Sequence, residues 1–132
     1  MSQTRHSILL AEDDPAVLKM TTLRLEYEGF RVLTATDGQQ VLDCLKHHGA
    51  VDLILMDVKM PKLNAFQVCK LLKADPQTAS IPVVVFTASS SNWQHVVDQC
   101  LELGIADWLK KPFRSEELLG KIHHVLGETG AR

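Results

Sequence analysis

The sequence predicts a doubly wound α/β domain in which five strands alternate with five helices. Three observations carry this. Short apolar runs at 8–11, 52–57 and 81–86 recur between segments of helical periodicity. The runs at 52–57 and 81–87 do not alternate polar with apolar residues, as expected of parallel strands covered on both faces. Each run also ends in a charged or hydroxyl-bearing group: Glu12-Asp13-Asp14, Asp57, Thr87 and, after a shorter fourth run, Lys111. In an open α/β sheet, the carboxyl ends of the strands form the edge where ligands bind.

The elements follow in order. A strand is expected near 6–12, closed by the acids at 12–14. The helix near 15–28 opens with Asp14 as cap and Pro15 in the first turn, and stops at Gly29. A strand near 31–35 leads to a helix near 38–48, which stops at Gly49. The strand near 52–57 precedes a helix near 65–74, whose start carries Asn64 and Gln67 at capping-box spacing. A strand near 81–87, a helix near 92–103, a short strand near 106–110 and a helix near 116–126 complete the chain. Ser115-Glu116-Glu117 puts acids in the first turn of that last helix, where the macrodipole favours them. Strands alternating with helices of this length make βαβ units and a parallel sheet.

At 132 residues the chain is expected to be a single domain spanning 1–132, with its core at about 6–127. The formal charge of −2 supplies no basic field for nucleic acid. No apolar stretch approaches the roughly 20 residues of a membrane helix, and Glu12 interrupts the first apolar run before it could serve as a signal peptide. Cys44, Cys69 and Cys100 are odd in number and far apart, which points to free thiols in a reducing compartment and so to the cytoplasm. The pairs His47-His48 and His123-His124 lie late in helices and lack the i, i+4 spacing of a helical metal site.

The strand ends set the chemistry. Glu12, Asp13 and Asp57 belong to strands that right-handed crossovers can set side by side. Two carboxylates ~4 Å apart repel by about 4 kcal/mol at an effective dielectric of 20, so protons or a cation must offset the charge. An oxygen-only site with few protein ligands suits Mg²⁺, which keeps waters and favours phosphate oxygens. Thr87 can donate a hydroxyl hydrogen bond to a phosphoryl oxygen, and Lys111 can supply a point charge to another. Asp14, beside Pro15, is better explained as a helix cap than as a ligand.

In these features the chain resembles the receiver domain of two-component response regulators over essentially its whole length. The acids Glu12-Asp13, the segment Asp57 to Pro61, Thr87-Ala88 and Lys111-Pro112-Phe113 recur in the family's order and approximate spacing. The resemblance implies a flavodoxin-like (βα)5 fold with strand order 2-1-3-4-5. It assigns phosphoryl acceptance from a phosphohistidine to Asp57, and Mg²⁺ ligation to Asp13, Asp57 and the backbone carbonyl of Lys59. Glu12 would contact the ion or a water on it. Thr87 and Lys111 would bind phosphoryl oxygens, and Lys111-Pro112 would be a cis peptide. The partners implied are a sensor histidine kinase or histidine phosphotransfer protein, and a downstream protein target or fused output domain.

The resemblance also implies a switch. Thr87 would move toward the phosphoryl group, and Trp108, three places before the lysine, would turn inward. That would alter the surface built from the fourth helix, fifth strand and fifth helix. Trp93 on the same stretch would be either an exposed partner anchor or packed under Ser89-Ser90-Ser91. Lys59 and Ser89 would flank the path of an attacking water. Two departures stand out: the family commonly places glycine where this chain has Ala65, and the segment from Thr87 to Lys111 is slightly long. Alanine would be strained at position 65 if φ there were positive.

Rival functions are an aspartyl-phosphate phosphatase, a flavin- or nucleotide-binding domain of the same topology, and a degenerate receiver that is never phosphorylated. The first usually offers a second aspartate where this chain has Lys59. The second wants a glycine- or hydroxyl-rich phosphate loop where it has Glu12-Asp13-Asp14. Every side chain a working receiver needs is present, against the third. No DNA-binding, hydrolase or cyclase domain is expected after the fifth helix within 1–132, so the chain is expected to be a stand-alone regulator or a receiver excised from a longer protein.

Overall fold

A computed structural model describes residues 5–88 and 93–127. Its strands are β1 (Ser7–Ala11), β2 (Arg31–Ala35), β3 (Leu53–Asp57), β4 (Val83–Thr87) and β5 (Asp107–Lys110). They alternate with α1 (Pro15–Tyr27), α2 (Gly38–His48), α3 (Ala65–Ala74), α4 (Gln94–Glu102) and α5 (Ser115–Val125). The five strands form one sheet in the order β2-β1-β3-β4-β5, every pairing parallel. This is the expected doubly wound topology.

The unbroken apolar runs follow from helices on both faces. Successive strand residues point to opposite sides, so each run contributes to two cores. Leu9, Ile54, Met56, Val83 and Val85 meet Val41 of α2, Val68 and Leu72 of α3, and Val96 and Val97 of α4. Ile8, Leu10, Leu53, Leu55, Val84 and Phe86 meet Leu25 of α1 and Leu118 and Ile122 of α5. Replacing Leu55, which is fully buried, with alanine removes roughly 2–5 kcal/mol of such packing.

Local signals are realised at the helix ends. The Asp14 side chain accepts from the backbone N–H groups of Ala16 and Val17, 2.9 and 3.3 Å away. Asn64 and Gln67 exchange reciprocal side-chain to backbone hydrogen bonds of 2.9 and 2.8 Å. Position 29 takes φ +98°, a left-handed turn that glycine enters without the Cβ penalty. Helix α4 runs from Gln94 to Glu102 with no side-chain cap; the expected start at 92 lies outside the described residues. Among the described residues no helix is long and apolar enough to cross a membrane. Cys69 and Cys100 are buried, Cys44 is half-buried, and all three are free thiols.

Candidate functional site

The carboxyl edge gathers the expected residues because adjacent strands end together. Ala11 of β1 pairs with Met56 of β3, so Glu12 and Asp57 leave neighbouring strands at the same level. Asp57 pairs with Phe86 of β4, which puts Thr87 one residue further along. Thr87 pairs with Lys110 of β5, and the Lys111 N–H donates to the Thr87 carbonyl at 2.7 Å.

Glu12, Asp13 and Asp57 each present a carboxylate oxygen, and these three atoms lie within 4.8 Å of one another. Asp13 is exposed, whereas Glu12 and Asp57 retain only 1% and 8% of their accessible surface. The Lys111 ammonium crosses the gap, donating to Glu12 Oε1 at 2.5 Å and to Asp57 Oδ2 at 2.9 Å. The other Asp57 oxygen accepts the Lys59 N–H at 3.3 Å, and Glu12 Oε2 accepts the Asp14 N–H at 3.2 Å.

The electrostatics are lopsided. Burial pushes Glu12 up to about 7, reinforced by the charge of Asp57 and opposed by the Lys111 hydrogen bond. Burial pulls Lys111 down, but its hydrogen bonds to Glu12 and Asp57 outweigh that and hold it above the usual lysine range. One ammonium therefore serves several acids, and the cluster has capacity for a further cation. The all-oxygen donor set is that of a hard divalent ion.

The remaining expected residues are placed as follows. Thr87 is buried, its hydroxyl donating to the Ala88 carbonyl at 3.3 Å. The Lys111-Pro112 peptide is cis. Trp108 is half-buried and, like Trp93, packs against the α2/α3/α4 core. Ser89 lies outside the described residues. Asp14 stays a cap and is not among the clustered acids.

Two features escaped the sequence. Ala65 carries no positive φ; it begins α3, fully buried. The positive φ falls instead on Lys62, at 70°. The Leu63 N–H donates to the Pro61 carbonyl at 2.8 Å, which closes a γ-turn about that residue. The second feature is a largely apolar groove of about 510 Å³ that runs from Ala88 and Lys111 between α1 and the start of α5, past Val17, Met20 and Phe113. Its lining converges from three segments, so no local pattern announces it.

Comparison with known proteins agrees with this arrangement. The family described as "Response regulator receiver domain" matches residues 8–123. The transcriptional regulatory protein CpxR of Escherichia coli K12 is 41% identical over 121 residues, covering 92% of this chain and 49% of its own length. The chain thus spans about half the length of the curated relatives it matches. Among solved structures, a putative response regulator from Chloroflexus aurantiacus superposes with TM-score 0.85 at 27% identity, covering 95% of this chain and all of its own. The receiver domain of the sensor histidine kinase PA1611 from Pseudomonas aeruginosa gives TM-score 0.84 at 28% identity, with the same coverage of both chains. That structure has a magnesium ion coordinated in its active-site cleft. With its fold, its converged strand ends and these likenesses taken together, the chain belongs to the response regulator receiver domain family.

Proposed function

We propose that this chain is a phosphorylation-activated switch that takes a phosphoryl group from a phosphohistidine onto Asp57. The observation that carries the proposal is the Lys111 ammonium held between two buried acids, 2.9 Å from Asp57, with the exposed Asp13 beside them. Asp13, Asp57 and the Lys59 carbonyl would hold Mg²⁺, and Glu12 would contact it or a water on it. The donor set fits, since three acids cluster around a single ammonium that contacts only Glu12 and Asp57, and a divalent ion would offset their repulsion. When bound, Mg²⁺ supplies charge neutralisation and a template for phosphoryl oxygens.

An Asp57 carboxylate oxygen bonds to phosphorus as the bond from phosphorus to the donor imidazole nitrogen breaks. Lys111 transfers its hydrogen bond from Asp57 to a phosphoryl oxygen, and the Thr87 hydroxyl leaves the Ala88 carbonyl for another. The Lys111 N–H is tied to the Thr87 carbonyl, which couples the backbone at the two strand ends. The displacement reaches α4, β5 and α5, with Trp108 as its marker, and alters the surface offered to a partner protein or output domain. The phosphodonor is a sensor histidine kinase or histidine phosphotransfer protein. On this reading residues 1–132 are one receiver domain with its core at 6–127, working in the cytoplasm, and the only reactions it promotes are the gain and loss of its own phosphoryl group.

The test is mass measurement of the intact protein after incubation with Mg²⁺ and acetyl phosphate. One phosphoryl increment is expected on the wild type and none on Asp57→Asn. Multiple turnover of a generic phosphoester would instead establish a phosphatase.

A further inference from the structure

The segment 58–64, which joins β3 to α3, is held at two places. At its start, the Val58 N–H donates to the Phe86 carbonyl at 2.8 Å and the Val58 carbonyl accepts from Ala65 at 3.1 Å. Further along it rests on the beginning of α2. The Gly38 N–H donates to the Pro61 carbonyl at 3.3 Å, and the Lys62 ammonium lies 3.6 Å from Asp37 Oδ2. Between these two holds lie Lys59, whose N–H donates to Asp57 Oδ1 at 3.3 Å, and the buried Met60. Gly38 is buried against this segment so closely that an added Cβ would stand 2.3 Å from the Leu63 carbonyl oxygen and 2.6 Å from its Cβ. Asp37, immediately before it, is itself fixed by accepting the Gln40 N–H at 2.8 Å.

We propose that Gly38 is a positioning residue for the metal end of the site: the bare face of α2 at Gly38 seats the Pro61–Leu63 γ-turn and so sets where the Lys59 backbone stands relative to Asp57. The inference rests on the reading of Lys59 as a metal ligand. An alanine at 38 falls about 1 Å short of ordinary contact with Leu63, and the obstacle is backbone, which cannot rotate away. The γ-turn must retreat, and Lys59 lies two residues from the part that moves. Mg²⁺ tolerates little change from its near-ideal octahedron, so a displacement of that size is felt as lost affinity.

The test compares MgCl₂ titrations of wild type, Gly38→Ala and Gly120→Ala by calorimetry, with urea unfolding of each in the absence of metal. Gly120 is the control, since a Cβ there meets nothing within 4 Å. Gly38→Ala is expected to bind Mg²⁺ about tenfold more weakly while folded, the usual loss on disturbing an outer support of a metal site. Gly120→Ala is expected to match wild type. A merely structural glycine would lower the unfolding midpoint and leave the affinity of the folded protein unchanged, which would overturn the proposal. Should Gly38→Ala not fold, amide exchange in the wild type decides. Linkage is reciprocal, so Mg²⁺ must slow exchange of the Gly38 N–H, and an unaltered rate overturns the proposal. A wild type that binds no Mg²⁺ sinks the reading of the whole site. Wild-type binding with unaltered binding by Gly38→Ala sinks this inference alone.

Discussion

Lys111→Met removes the one ammonium that bridges Glu12 and Asp57 and keeps most of the side chain's volume. Both acids are nearly sealed from water, at 1% and 8% exposure, and they lie 2.5 and 2.9 Å from the nitrogen. Deleting one partner of such a buried pair typically costs about 3–5 kcal/mol, and the loss here depends on pH with a definite sign. Glu12 has a folded pKa of about 7, raised above its ordinary 4.5 by burial. It therefore contributes stability that is complete below 4.5 and lost as pH rises through 7, by up to about 3 kcal/mol at about 1.4 kcal/mol per unit. Without the lysine that folded value rises further, so the penalty of the substitution grows with pH. Urea unfolding in EDTA should give a loss of about 3 kcal/mol at pH 8 and clearly less at pH 5. Added Mg²⁺ should restore more stability to the variant at pH 8 than to the wild type, because it replaces the missing positive charge. An equal loss at both pH values, or one under about 1 kcal/mol at pH 8, would refute the account of Lys111 as the counterion of buried, ionised acids.

Three further outcomes are expected. In the wild type, apparent Mg²⁺ affinity should fall as pH drops through about 7, since a proton on Glu12 competes with the ion, and the dependence should flatten in Glu12→Gln, measured by calorimetric titration. In a Trp93→Phe background, beryllofluoride with Mg²⁺ should change Trp108 fluorescence. Thr87→Ala should abolish that change while still accepting one phosphoryl group by mass, because its hydroxyl is placed for relay rather than for attack. Asp14→Ala should lose about 1 kcal/mol of stability with the α1 cap, by chemical denaturation, and keep wild-type Mg²⁺ affinity.

The strands were legible because β3 and β4 are buried along their whole length and show no polar alternation. The acids, hydroxyl and ammonium were legible because parallel register forces residues that end neighbouring strands to one edge. The start of α4 carries no local capping signal, since Trp93 offers no capping side chain. Lys62 also gave no warning. Its left-handed backbone is imposed by the seat on α2 and by the Pro61–Leu63 bond, both of them tertiary constraints, whereas local propensity would place a glycine or asparagine there. The close approach of Gly38 to Leu63 spans 25 positions in sequence and involves no charged or apolar side chain on the glycine, so nothing in the residue pattern could signal it.

Asp57 closes the middle strand of the sheet, with β1 laddered to one side of β3 and β4 to the other. Amides in such a strand exchange with solvent only through openings close to complete denaturation, while rim segments open cheaply. The Asp57 carboxylate is thus carried by the strand with a laddered neighbour on each side, and compliance is left to the periphery. On the proposed function, cycles of modification would deform the outer helices without blunting the geometry around Asp57.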